Sequence, residues 1–79
     1  MKHFEASFAN KDEVKKSKNC SCYFCLNTYP AAEVIKFLKD KKGDTAVCPK
    51  CGIDSVIPDS VFTPNKDDLE EFFIESFGN

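Results

Sequence analysis

The sequence predicts a small α+β fold, and three observations lead there. Two Cys-x-x-Cys pairs, Cys22–Cys25 and Cys48–Cys51, divide a chain of 79 residues, with 22 residues between them. Pro30 to Lys42 and Thr63 to Phe77 each carry apolar residues at helical spacing. Short apolar runs, Thr45–Val47 and Ser55–Ile57, flank the second cysteine pair as strands would.

The cysteine pairs organise the rest. Each Cys-x-x-Cys turn presents two sulfurs from one compact loop, and two such turns complete the tetrahedral thiolate shell that Zn²⁺ prefers. Pro49 fixes φ as the chain enters the second turn, and Gly52 permits the positive φ by which it leaves. Backbone N–H groups of such turns point at the sulfurs and offset their charge. Disulfides fit less well: five cysteines leave one over, and the chain opens without the apolar h-region of a secretory leader, so a cytoplasmic location is expected. A thioredoxin-type dithiol asks for one pair beside a βαβ pattern, not two pairs. Catalytic zinc keeps an open position for water, which four thiolates would close. The expectation is one structural Zn²⁺ held by Cys22, Cys25, Cys48 and Cys51. Cys20 reads as a spectator thiol in an irregular segment, since its spacing to Cys25 exceeds that of a Cys-x-x-Cys turn. His3, the sole histidine, lies far from both pairs and reads as solvated.

From the N-terminus, residues 1–19 read as an extended or frayed arm preceding a zinc-binding domain of residues 20–79. Phe4, Ala6 and Phe8 alternate with polar residues as in a strand, and Lys11 to Lys18 read as solvated linker. Pro30 to Lys42 reads as a helix inserted between the two cysteine turns. Ala31, Val34, Ile35 and Leu38 form its stripe, Pro30 suits its first position, and Gly43 sits where a helix ends. The two strands around Cys48–Cys51 are expected to make a hairpin carrying the second turn. Thr63 is the expected N-cap of the last helix, with Pro64 at its first position and Gly78 closing it. Leu69, Phe72, Phe73 and Phe77 are expected on its apolar face, with Glu70, Glu71 and Glu75 largely opposite and Ile74 off that stripe.

Size and charge narrow the function. So short a chain buries little apolar area, and domains of this size commonly depend on a metal or disulfides. Residues 1–50 carry ten lysines against six acids, and residues 51–79 carry one lysine against seven. The formal net charge is −2, and a four-thiolate zinc centre would take it to about −4. An acidic chain without a single arginine is poorly suited to gripping a phosphate backbone. No run is long enough to span a bilayer. No Gly-rich phosphate loop, Ser/His/Asp set or carboxylate–histidine site is visible, so the chain does not read as an enzyme.

The stretch from Cys22 to Phe77 resembles a family of small bacterial and phage-associated zinc-ribbon-like proteins, described only as cytoplasmic proteins of unknown function. The resemblance is carried by Cys22-x-x-Cys25, Tyr29-Pro30-x-x-Glu33-Val34 and the terminal helix. Its most specific part is Thr45-Ala46-x-Cys48-Pro49-x-Cys51-Gly52-Ile53-Asp54-Ser55. This chain departs from that pattern at Lys50, where an aromatic is common. The resemblance implies a cytoplasmic protein with zinc on Cys22, Cys25, Cys48 and Cys51, and it supplies no activity. The function expected first is therefore a non-enzymatic zinc module that binds another protein. A nucleic-acid-binding ribbon is the second reading, using Lys36, Lys39, Lys41, Lys42 and Lys50 with Tyr23 or Phe24 for stacking. A thiol-based redox or metal-responsive switch drawing on Cys20 is the third.

Overall fold

A computed structural model describes residues 3–78. It is α+β, with helices α1 (His3–Ala6), α2 (Lys11–Lys16) and α3 (Lys66–Phe77). Its strands are β1 (Asn19–Cys22), β2 (Thr28–Pro30), β3 (Phe37–Leu38), β4 (Thr45–Ala46) and β5 (Val56–Pro58). Strand β1 is central in a three-stranded antiparallel sheet, with β2 on one side and β5 on the other. Cys20 stands opposite both Tyr29 and Pro58, and Cys22 stands opposite Val56. Strands β3 and β4 form a separate antiparallel pair, Phe37 facing Ala46 and Leu38 facing Thr45.

Because side chains alternate across a sheet, β1, β2 and β5 divide the interior into two cores. Cys20, Cys22, Tyr29 and Val56 share one face and pack with Val14, Ala31, Val34, Ala46 and Cys48. Ile57 points to the other face and packs with Ala6, Tyr23 and Leu69. The sheet is therefore covered on both sides, once by the cysteine turns and once by α1 and α3. Among the described residues, no helix is long and apolar enough to cross a membrane.

Four expected elements are corrected. The first is the N-terminal arm, which is helical and packed rather than extended. The alternating Phe4 and Phe8 face solvent, while Ala6, Asn10 and Val14 are buried. The side chain of Asn10 explains much of this order. Its amide donates to the carbonyls of Ala6 and Val56, and its oxygen accepts from the N–H of Ala46. One buried side chain thus satisfies backbone groups of α1, β4 and β5, which would otherwise carry a desolvation penalty. The expected linker from Lys11 to Lys18 is mostly α2, with Val14 buried in the core and Lys15, Lys16 and Lys18 exposed.

The second is the inserted helix. Pro30 ends β2, Ala31–Glu33 make one 3₁₀ turn, and the chain then runs extended into β3. Ala31 and Val34 are buried as a helical stripe would place them, but Ile35 is 84% exposed. A short helix needs an apolar face on which to pack, and here Phe37 pairs with Ala46 while Val47 N–H donates to the Lys36 carbonyl. Val34, Ile35 and Phe37 are residue types that suit extended backbone. Gly43 serves a turn rather than a helix end. It has φ of 134°, and a Cβ there would lie 3.3 Å from Ala9 Cβ.

The third is the hairpin around the second cysteine turn. Both strands exist at the expected places, but β4 pairs with β3 and β5 pairs with β1. The fourth is the cap of the last helix, which is Asn65 and not Thr63. Asn65 Oδ1 accepts from the Asp68 N–H, and the Asn65 N–H donates back to Asp68. That reciprocal pair sets the start of α3 at Lys66. Gly78, at φ of 81°, closes the helix as expected, its N–H donating to the Ile74 carbonyl.

Candidate metal centre

The two cysteine turns are built to one plan. In the first, the Cys22 N–H donates to the Asn27 carbonyl and the Leu26 N–H donates to the Cys22 carbonyl. In the second, the Cys48 N–H donates to Ile53 and the Gly52 N–H donates to Cys48. The N–H two residues after the leading cysteine reaches its sulfur in both, from Phe24 to Cys22 at 3.4 Å and from Lys50 to Cys48 at 3.3 Å. The residue after the second cysteine takes positive φ in both, 80° at Gly52 and 61° at Leu26. Only the second turn has glycine there, so the first holds a leucine in the left-handed region that disfavours a side chain.

Strand β1 delivers Cys22 to the first turn, and β4 followed by Val47 delivers Cys48 to the second. The four sulfurs of Cys22, Cys25, Cys48 and Cys51 all lie within 4.8 Å of one another. The Cys22 and Cys51 sulfurs are 3.6 Å apart, and those of Cys25 and Cys48 are 3.7 Å apart. A disulfide would bring sulfurs to about 2.05 Å. A tetrahedral zinc with Zn–S bonds of about 2.3 Å has edges of about 3.8 Å. The measured separations suit the second arrangement and exclude the first in this structure. Four cysteines placed in this way can hold a metal ion.

Electrostatics say the same. Burial pushes the Cys22 thiol far above its ordinary range, only partly offset by the Ser55 hydroxyl, 3.0 Å from its sulfur, and by the N–H groups of Cys25 and Phe24. Cys51 is raised for the same first reason, burial. Cys48 behaves differently. Burial alone would raise it, but the Tyr29 hydroxyl and the N–H groups of Cys51 and Lys50 outweigh that and lower it to about 7. Tyr29 is 3% exposed, and its hydroxyl makes no hydrogen bond of conventional geometry. Burial and the neighbouring Cys48 sulfur together hold its proton above the usual phenol range. Burial thus opposes ionisation at Cys22 and Cys51, while the Tyr29 hydroxyl and backbone N–H groups favour it at Cys48. Ionising all four requires a cation among them, because like charges this close oppose each other's ionisation.

Of the residues singled out in the sequence, Cys22, Cys25, Cys48 and Cys51 are brought together and Cys20 is not. Cys20 belongs to β1 rather than an irregular segment, is 1% exposed, and is pushed up to about 11, first by burial and then by the charge of Asp59. His3 is also away from the sulfurs, yet it is 5% exposed and not solvated. Its ring stacks on Phe72 at 4.6 Å and meets the edge of Tyr23 at 4.9 Å, while its nitrogens reach Ser76 and Glu75. Ser55, Tyr29 and Leu26 were not marked as site residues by the sequence. Leu26 had a signal, since aligning the two turns on their cysteines sets it against Gly52. Ser55 and Tyr29 stand in the stretches that carry the resemblance, but no local pattern gives them a role at the sulfurs, because only the fold brings them there. No family model, no curated protein and no solved structure matches this chain.

Proposed function

We propose that Cys22, Cys25, Cys48 and Cys51 bind one structural Zn²⁺ and that the chain is a non-enzymatic, cytoplasmic module that binds another protein. The carrying observation is the cluster of four reduced sulfurs, all within 4.8 Å of one another, with separations of 3.6 and 3.7 Å for two of its pairs. Four thiolates fill the preferred coordination of zinc and leave no position for a reacting water. The metal then acts by joining the two turns, and function falls to the surface they carry.

The nucleic-acid reading loses one of its two stacking residues, because Tyr23 is 5% exposed. Among its lysines, Lys39 is paired with Asp44 and Lys50 with Glu33. The redox reading loses its spare thiol, because Cys20 is buried and its thiolate is disfavoured. Elemental analysis of the purified chain tests the proposal, with about one zinc per chain expected. Cys48→Ser should lose the metal, and Cys20→Ser should keep it. A folded, reduced and metal-free protein would overturn the zinc assignment.

A further inference from the structure

The first cysteine turn and the last helix meet through aromatic rings. Phe24 lies 5.6 Å from Phe73 and 4.9 Å from Phe77, and Phe73 lies 5.4 Å from Phe77, centroid to centroid. This triad belongs to neither buried core. Phe24 is 38% and Phe77 44% exposed, and Ile74, beside them on α3, is 55% exposed. An apolar group of this kind, set on the first cysteine turn and the last helix, has the composition of an interface anchor.

The charges around it define the occupant. On the helix, Glu70 falls between Phe77 and Ile74, and Asp67 and Glu71 lie just beyond Ile74, at successive steps of about 100°. Lys66, between Phe73 and Phe77 by the same count, is the one cation of α3 and leaves the rim acidic in balance. All three acids are exposed, and among the described residues none of them has an ion-pair partner. A second copy seated on this face about a two-fold axis would set these acids against their own equivalents. Nucleic acid would meet the same repulsion. A cationic peptide with apolar anchors meets neither obstacle.

We infer that the Phe24–Phe73–Phe77 face, with Ile74 and its acidic rim, docks a basic, apolar-anchored segment of a partner protein. This rests on the reading of the chain as a protein-binding module and names the chemistry of the partner. Apolar side chains of the segment cover the rings, and its lysines or arginines face Asp67, Glu70 and Glu71. Electrostatic attraction speeds encounter and selects against acidic competitors.

The test is selection from a random peptide library displayed on phage against the full zinc-loaded chain, followed by fluorescence anisotropy with the enriched peptides. Enriched sequences should carry net positive charge and at least one aromatic or large aliphatic residue. Their affinity should fall about tenfold or more in Phe77→Ser and Ile74→Ser, the range typical of interface anchors. It should also fall, and lose much of its salt dependence, in the double variant Glu70→Lys and Glu71→Lys. Both exposed-residue variants are checked for zinc content and for an unchanged NMR spectrum away from α3. Neutral or acidic enriched peptides, no enrichment, or binding indifferent to all these variants overturns the docking face. So does concentration-dependent self-association, or DNA or RNA binding, that these same variants abolish. If the chain holds zinc but no peptide, the docking face fails alone. If it holds no metal, the zinc centre fails whatever the peptides do.

Discussion

Cys20 and Cys22 sit two residues apart on β1, on the same face of the sheet, and still meet different chemistry. Cys22 enters the sulfur cluster, whereas Cys20 is closed in between Tyr29 and Pro58 on the flanking strands. A buried thiol without a cation stays protonated, and Cys20 is raised from 9.0 to about 11. Its contribution to stability is therefore complete below pH 9, where folded and unfolded chains both hold the proton. It is lost as pH rises from about 9 to about 11, where only the unfolded chain releases it. Two pH units correspond to about 3 kcal/mol at most. Urea melts of the metal-loaded protein at pH 8 and pH 11 should show this loss, and Cys20→Ala should show a smaller one. Every other group is common to both proteins, so an equal loss in the two would refute the assignment. At this scale the cysteines that cluster were legible, because metal-binding turns impose a spacing on their thiols and Cys22, Cys25, Cys48 and Cys51 carry it. Asn10 was not, because its three partners come from residues 6, 46 and 56 and no local pattern joins them.

The cysteine turn is the smallest unit here that behaves as an element, and its two copies differ at one telling position. Gly52 and Leu26 both take positive φ, but only Leu26 has a side chain to strain, and it is packed beside Ala6, Tyr23, Ile57 and Leu69. A Cβ at Gly52 would meet nothing within 4 Å. Gly52→Ala therefore isolates the backbone cost, expected at about 1–2 kcal/mol. In a domain of this size each 1 kcal/mol lowers the thermal midpoint by about 4–8 °C. Thermal denaturation of the zinc-loaded variant checks it, and an unchanged midpoint would show that the turn does not depend on glycine. The turns and α3 were legible because each is fixed by short-range chemistry. The segment after Pro30 was not. Its apolar spacing fits a helix, but Phe37 gains a strand partner in Ala46, 9 residues on, and tertiary pairing overrides local periodicity. The cap of α3 shifted for a related reason, since Asn65 with Asp68 offers two reciprocal bonds where Thr63 offers one.

At the scale of the whole molecule, the cysteine cluster and the second core share their supporting strands. Cys22 is followed by Tyr23 and Val56 by Ile57, so each strand that closes the cysteine face also builds the face under α3. The Tyr23 N–H donates to the Ser55 carbonyl, which ties the first cysteine turn to the entry of β5. Without a cation, the four sulfurs within 4.8 Å of one another lose the bonds that would join the two cysteine turns across the first core. The strands then lose what holds them together, and α3 loses the platform for Leu69 and Phe72. A helix of 12 residues is marginal by itself in water. Metal removal is therefore expected to unfold both cores together, including a helix that contributes no ligand. Zinc domains typically draw about 10–16 kcal/mol from the metal, more than the whole net stability of a small domain. Titration with a chelator under reducing conditions should abolish the helical circular-dichroism signal and the near-ultraviolet aromatic signal in one coincident transition. Restoring zinc should recover both. If the helical signal survived complete metal removal, α3 and its core would fold without the centre, and the coupling through β1 and β5 argued here would be wrong.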